Sequence, residues 1–183
     1  TGTLALHNSQ VITGNPTLIG TTDGATQGTA GGVLSMNPSY LKTPALLLGD
    51  NAVIRMELDG LLRQIEYSAI DVTAGALVAQ LNGLLEIIFT FEPLLPGTYD
   101  FDLIVTNDSN GITGTFDDVL IMGLPEGFNA FYGTTLNGMG HEVWRLRISD
   151  GDPTFVISTP EPGALLGIVG LACLGMMRRR RAA

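Results

Sequence analysis

One cysteine, one lysine, two histidines and one tryptophan in 183 residues remove several classes of protein at once. Cys173 has no partner to bond with, so a disulfide-stapled scaffold is excluded, and the rest of the chain offers no thiol nucleophile. His7 and His141 stand far apart in sequence, which gives little basis for a His-based metal site or a Ser-His-Asp arrangement. Only 15% of residues are charged, whereas coiled coils and long helical bundles are rich in Lys, Glu and Ala. Disorder is excluded from the other side, because 45% hydrophobic residues are enough to build a core. Glycine is what abounds: 24 of 183 residues, roughly twice the usual ~7% share.

The charge is unevenly divided. Residues 1–158 carry five cations (Lys42, Arg55, Arg63, Arg145, Arg147) against seventeen acids, a balance of −12. Residues 159–183 carry Glu161 against Arg178, Arg179, Arg180 and Arg181, a balance of +3. The acidic body does not bind nucleic acid or an anionic bilayer by electrostatics, and the tail is a different physical object.

Strict alternation of apolar and polar residues marks strands. Ile54, Met56 and Leu58 alternate with Arg55, Glu57 and Asp59, and Leu85, Ile87, Phe89 and Phe91 with Glu86, Ile88, Thr90 and Glu92. Tyr99, Phe101, Leu103 and Val105 alternate with Asp100, Asp102, Ile104 and Thr106, and Trp144, Leu146 and Ile148 with Arg145, Arg147 and Ser149. Asp59-Gly60, Asn82-Gly83, Asn107 to Gly111 and Asp150-Gly151 punctuate these runs. No helical period is sustained in residues 1–158; only Ala74 to Gln80 is open between the two. The fold class is therefore all-β.

Gly2-Thr3-Leu4-Ala5-Leu6, Gly32-Val33-Leu34-Ser35-Met36-Asn37 and Leu46-Leu47-Leu48-Gly49 repeat a loose unit of glycine and a short apolar strand. Short strands with small residues at corners suit a parallel β-helix, in which stacking buries what one coil cannot; a β-sandwich is the alternative. Tyr67-Ser68-Ala69-Ile70-Asp71-Val72 resembles the Tyr-Asp-x-Leu-x-Val motif of β-solenoid passengers with autotransporter-type strand repeats, with Ser68 replacing Asp. Gly111-Ile112-Thr113-Gly114-Thr115-Phe116 is similar to their Gly-Val-x-Gly-Thr-Phe step, and Leu124-Pro125-Glu126-Gly127 to the loop that follows. The Pro93 to Gly97 loop is a residue longer than theirs. The resemblance implies the end of a β-solenoid, closed by C-terminal cap strands.

The tail has three parts: Pro160-Glu161-Pro162, fifteen uncharged residues from Gly163 to Met177, and Arg178 to Arg181. As a helix, fifteen residues span about 22 Å, short of the ~30 Å hydrocarbon core, although arginine stems reach several ångströms further. Leu165, Leu166, Ile168, Val169, Leu171 and Leu174 favour insertion by roughly 2–4 kcal/mol together. Gly163, Gly167, Gly170 and Gly175 each weaken the helix by up to ~1 kcal/mol. The arginines fix the C-terminus in the cytoplasm and the body outside. On physics alone, a permanent single-pass anchor fits as well as a transient one. Leu95-Pro96-Gly97-Thr98 superficially resembles a sortase box but lies far upstream of the span, and Cys173 reads as an apolar residue of the span.

Taken in order, the three parts resemble the PEP-CTERM sorting tail of Gram-negative bacteria, departing only by Thr159 where Val is commonest. The resemblance implies export, transient insertion in the inner membrane and processing near Pro160-Glu161-Pro162 by an exosortase, which is then a partner. The sorting signal comprises Pro160, Glu161, Pro162, Arg178, Arg179, Arg180 and Arg181. Flanking prolines keep the tripeptide extended and out of any helix, so Glu161 is presented at the membrane surface. Export calls for an N-terminal signal that Thr1 to Leu6 does not supply; the chain is expected to be the C-terminal part of a longer solenoid.

Candidates for chemistry are few. Asp100 with Asp102, or Asp117 with Asp118, could form the carboxylate pair of a polysaccharide lyase or hydrolase, against the simpler expectation of a solvated strand face. Thr106-x-Asp108-x-Asn110-Gly111-x5-Asp117 half resembles a calcium loop but reads better as a hairpin turn. Trp144 reads as core rather than a sugar platform. No cofactor and no metal ligand set is expected. The sequence reading is a non-catalytic exported protein of the cell surface or extracellular (biofilm) matrix. It has an exported β-rich domain over 1–158 and a sorting tail over 159–183, with a membrane helix at 163–177. Its expected partners are exosortase, the inner membrane in passing and extracellular polysaccharide, with no nucleic acid. A carbohydrate-active enzyme or calcium-dependent adhesin with the same tail is the alternative.

Overall fold

The computed structural model describes residues 2–20, 31–73, 79–91 and 95–151. Among these there is no helix. The chain climbs in rungs. The first holds β1 (Gly2–His7), β2 (Gln10–Ile12) and β3 (Thr17–Ile19), and the second β4 (Gly32–Asn37), β5 (Tyr40–Thr43) and β6 (Leu46–Leu48). The third holds β7 (Ala52–Leu58), β8 (Ala69–Val72) and β9 (Ala79–Leu81), and the fourth β10 (Leu84–Phe89), β11 (Thr98–Thr106) and β12 (Ile112–Gly114). β13 (Asp118–Met122), β14 (Asn129–Leu136) and β15 (Glu142–Ser149) finish the end.

Equivalent strands of successive rungs pair in parallel, giving three faces: β1-β4-β7-β10-β13, β2-β5-β8-β11 and β3-β6-β9-β12. This is a parallel β-solenoid, and three full turns carry the chain from β1 to β10. No β-sandwich forms, because consecutive strands turn corners between faces instead of reversing beside one another. Register partners Gly2↔Gly32, Val33↔Val53, Val53↔Leu84 and Leu84↔Asp118 set turn lengths of 30, 20, 31 and 34 residues. The 20-residue turn is the shortest, and the 34-residue turn includes the nine-residue β11.

Inward side chains stack rung on rung. Leu34, Ile54 and Leu85 form one fully buried column on the first face, and Met36, Met56 and Ile87 the next. Leu41, Ile70 and Ile104 stack on the second face, and Leu46, Ala79 and Ile112 on the third. Each large aliphatic side chain so buried is worth ~1.5–3 kcal/mol, and no rung achieves this alone. Of the three units of glycine and apolar strand in the sequence, Gly2–Leu6 and Gly32–Asn37 are in register. Leu46–Leu48 sits on the third face, so its similarity is compositional.

Where the chain bends from the first face to the second, its amides leave the strand ladder and need other partners. Serine hydroxyls of successive rungs supply them. Ser9 N donates to Ser39 Oγ at 3.2 Å, Ser39 N to Ser68 Oγ at 3.3 Å, and Ser68 Oγ donates to the Met36 carbonyl at 2.9 Å. Ser68 is fully buried. A carboxylate there could not donate to Met36 and would be a buried charge, so a hydroxyl suits this position.

β11 departs from strict alternation. Its pairing with β15 shifts between Asp102 and Ile104, and Leu103 and Ile104 are both buried. The bulge moves the inward phase from Phe101 to Ile104 and Thr106, leaving Val105 partly outward. Only Ile104–Thr106 continue the solenoid through β8. The earlier half of β11 pairs antiparallel with β15, and β15 with β14, so the parallel stacking of the second face ends in a reversed hairpin.

Candidate functional site

The Asp100 and Asp102 side chains share the outer face of β11, as alternation requires, and each meets an arginine from β15. Asp102 receives Arg145 Nε at 2.6 Å and Nη2 at 3.2 Å. Asp100 receives Arg147 Nε at 2.5 Å and Nη2 at 2.7 Å, with Arg145 Nη1 a further 3.4 Å away. Register dictates this ladder, since Asp100 lies opposite Arg147 and Asp102 opposite Arg145. Arg147, by hydrogen bond and charge, holds the Asp100 carboxyl below the usual carboxylate range, despite partial burial. The same bonds raise both guanidinium pKa values. A general acid needs a raised pKa; Asp100 is pushed the other way.

The charge network extends across rungs. Arg63 Nε donates to the Asp102 carbonyl at 2.9 Å and its Nη2 bonds Asp71 Oδ1 at 2.6 Å. The Tyr40 hydroxyl donates to Asp71 Oδ2 at 2.8 Å. The Tyr40 phenol is pushed up to about 12, chiefly by burial and then by the Asp71 bond. Together these groups form a brace on the outside of the second face.

The other candidates are dispersed. Asp117 Oδ2 accepts from Gly83 N, at the equivalent corner of the previous rung, at 3.1 Å, while Asp118 Oδ1 accepts from the adjacent Val119 N, so the two carboxylates serve backbone amides separately. The segment 107–111 is not a hairpin turn, because β11 and β12 belong to different faces. It is a corner, closed by Thr106 Oγ1 donating to the Asp108 carbonyl at 2.9 Å and by Asn110 N donating to Asp108 Oδ1 at 3.2 Å. Asp117 lies beyond β12, so the spacing does not close a calcium loop. His7 ends β1 on the first rung and His141 precedes β15 in the terminal hairpin, and the fold keeps them apart. Among the described residues no group of three or more His, Cys, Asp or Glu is placed to hold a metal. Pro160, Glu161, Pro162, Arg178 to Arg181, Cys173 and the span 163–177 lie outside the described residues.

A cleft that the sequence did not single out opens where the solenoid ends. The third face stops at β12, while β13 and the β14–β15 hairpin continue past it on the other two. The space left beside β12 is a cleft of about 410 Å3 lined by Ile112, Phe116, Val119, Tyr132, Glu142 and Trp144. Trp144 is buried at 4% exposure and meets Phe116 edge-on, with centroids 5.6 Å apart at 89°. Tyr132 stacks on Trp144 at 5.6 Å and 19° and stays 43% exposed. Glu142 Oε2 accepts from Ile112 N at 2.8 Å, which fixes its carboxylate on the wall. Trp144 is thus core, as its alternation implies, and at the same time the support of an exposed ring.

Comparison with protein-family models, with curated proteins and with solved structures finds no match for the chain.

Proposed function

We propose that this protein is an exported, non-catalytic constituent of the cell surface or extracellular matrix, a β-solenoid carried to its destination by its C-terminal tail. One observation carries the reading: Pro160-Glu161-Pro162, an uncharged stretch and Arg178 to Arg181 follow one another in that order. In this reading residues 163–177 form a short helix that enters the inner membrane with the C-terminus in the cytoplasm. An exosortase then processes the chain near the tripeptide, and the body resembles the end of an autotransporter-type passenger. The chemistry of the body supports a structural role. Its closest acid candidates are engaged with arginines at 2.5–2.6 Å, and its acidic balance repels anionic bilayers, leaving membrane contact to the tail.

The test is deletion of residues 160–181 in a host that processes such tails, followed by fractionation. The deleted form is expected to lose surface or matrix delivery, and the mature wild-type protein to lack the arginine cluster by mass spectrometry. Unchanged delivery, or a tail retained in every mature molecule, overturns the proposal and leaves an ordinary anchor.

A further inference from the structure

We infer that the cleft beside β12 binds a neutral glycan chain. This deepens the surface-protein reading by naming what the body holds, and it stands on the geometry of the terminal hairpin. A pyranose has two C–H faces and a rim of hydroxyls, so its complement is a fixed aromatic face next to hydrogen-bonding groups. Tyr132 offers the aromatic face. Its ring is held against Trp144, and Trp144 against Phe116, so little ring motion remains to be frozen on binding. Glu142 offers the acceptor. One of its oxygens is fixed by Ile112 N, and among the described residues nothing donates to the other. Thr115 and Thr134 also line the cleft.

Charge selects the class of glycan. Among the described residues no lysine or arginine lines the cleft, and Glu142 stands on its wall in a body with a balance of −12. A uronate or phosphorylated sugar meets repulsion there, and a neutral sugar does not.

Trp144 is the only tryptophan and supports the platform, so it reports occupancy directly. The purified full-length chain is titrated with neutral hexasaccharides (β-1,3-glucan, β-1,4-glucan, α-1,6-glucan and β-1,4-mannan), a galacturonate hexasaccharide and anilinonaphthalene sulfonate. At least one neutral hexasaccharide is expected to give a saturable change in tryptophan emission, and the galacturonate none. Tyr132→Ala weakens binding about tenfold or more, Glu142→Gln weakens it less, and Tyr132→Phe, which keeps the ring, binds as wild type. Circular dichroism of each variant shows that the solenoid persists. Absence of saturation with every neutral hexasaccharide overturns the inference, as does equal binding of galacturonate. An unchanged affinity in folded Tyr132→Ala does the same. Dye binding that no glycan displaces makes the cleft an apolar docking groove instead. All of this is read on purified protein, so failure here leaves the fractionation test of the tail untouched.

Discussion

Close stacking of rungs can be tested at a single backbone position. Gly83, at the corner leading from the third face into β10, has φ +70°. A Cβ built there overlaps the carbonyl oxygen of Ala52 in the previous rung, which is backbone and cannot swing aside. Gly127 has φ +84° with nothing within 4 Å of such a Cβ, and Gly14 has neither a left-handed φ nor a near neighbour. The three glycines separate the terms. Gly14→Ala only restricts the unfolded chain and stabilises by ~0.4–1 kcal/mol. Gly127→Ala adds a left-handed penalty of ~1–2 kcal/mol, for a net loss near ~1 kcal/mol. Gly83→Ala adds a further ~1–3 kcal/mol because the rungs must part, for a net loss of about 2–4 kcal/mol. At ~2–4 °C per kcal/mol for a domain of this size, its Tm falls by roughly 5–15 °C. Urea unfolding at constant m measures the series. Equal losses for Gly83→Ala and Gly127→Ala would refute the close approach of the two rungs.

Other consequences follow from the brace on the second face. A double-mutant cycle of Asp102→Asn and Arg145→Gln should give a coupling of ~1–2 kcal/mol at low salt, above the ~0.2–1 kcal/mol of exposed pairs, because the contact is two-pronged and partly buried. The coupling should shrink at 1 M salt, where the Debye length is ~3 Å; less than ~0.3 kcal/mol at low salt would remove the brace from the account of stability. Arg147 lowers the Asp100 pKa, so the stability this pair adds is present above the unfolded carboxylate value of ~3.9 and is lost as pH falls through the lower folded value. Arg147→Met should move the acid unfolding midpoint to higher pH, as read by circular dichroism. Tyr40 and Tyr67 are both pushed up to about 12, chiefly by burial. The folded state thus keeps protons that the unfolded chain releases above pH ~10, and stability should fall as pH rises between about 10 and 12. A Tm series over that range should be flatter in Tyr67→Phe, relative to its own value at pH 9.

Much of the fold is legible from alternation. Ile54, Met56 and Leu58 point inward on β7 and Arg55 and Glu57 outward, as a period of two demands. A solenoid and a sandwich nevertheless both bury one face of every strand, so alternation cannot choose between them. The choice lies in how strands connect, through corners such as Ser9, Ser39 and Ser68, where the Ser39 and Ser68 hydroxyls serve backbone groups of the previous rung. No local window shows that ladder, because its members are about thirty residues apart. The bulge in β11 is hidden for a related reason. Val105 looks as apolar as its neighbours, and only the shifted pairing with β15 puts Ile104 inside in its stead.

The cleft was invisible because no one of its residues is unusual. Trp144 sits in a strand pattern that calls for core, Tyr132 on a strand of mixed polarity, and Glu142 next to a turn. Their meeting depends on the reversal of β14 and β15, which places Tyr132 opposite Leu146 and Thr134 opposite Trp144. It depends equally on the third face ending at β12, so that no described strand covers the rings. A stacked structure must stop somewhere, and stopping its faces at different heights produces a hollow lined by core-type side chains. Aromatic residues that would be sealed one rung earlier become a surface at the last, and a single carboxylate fixed by Ile112 N is enough to make that surface chemically selective. In this chain the shortest face is the third, and the hollow beside its last strand borders Tyr132.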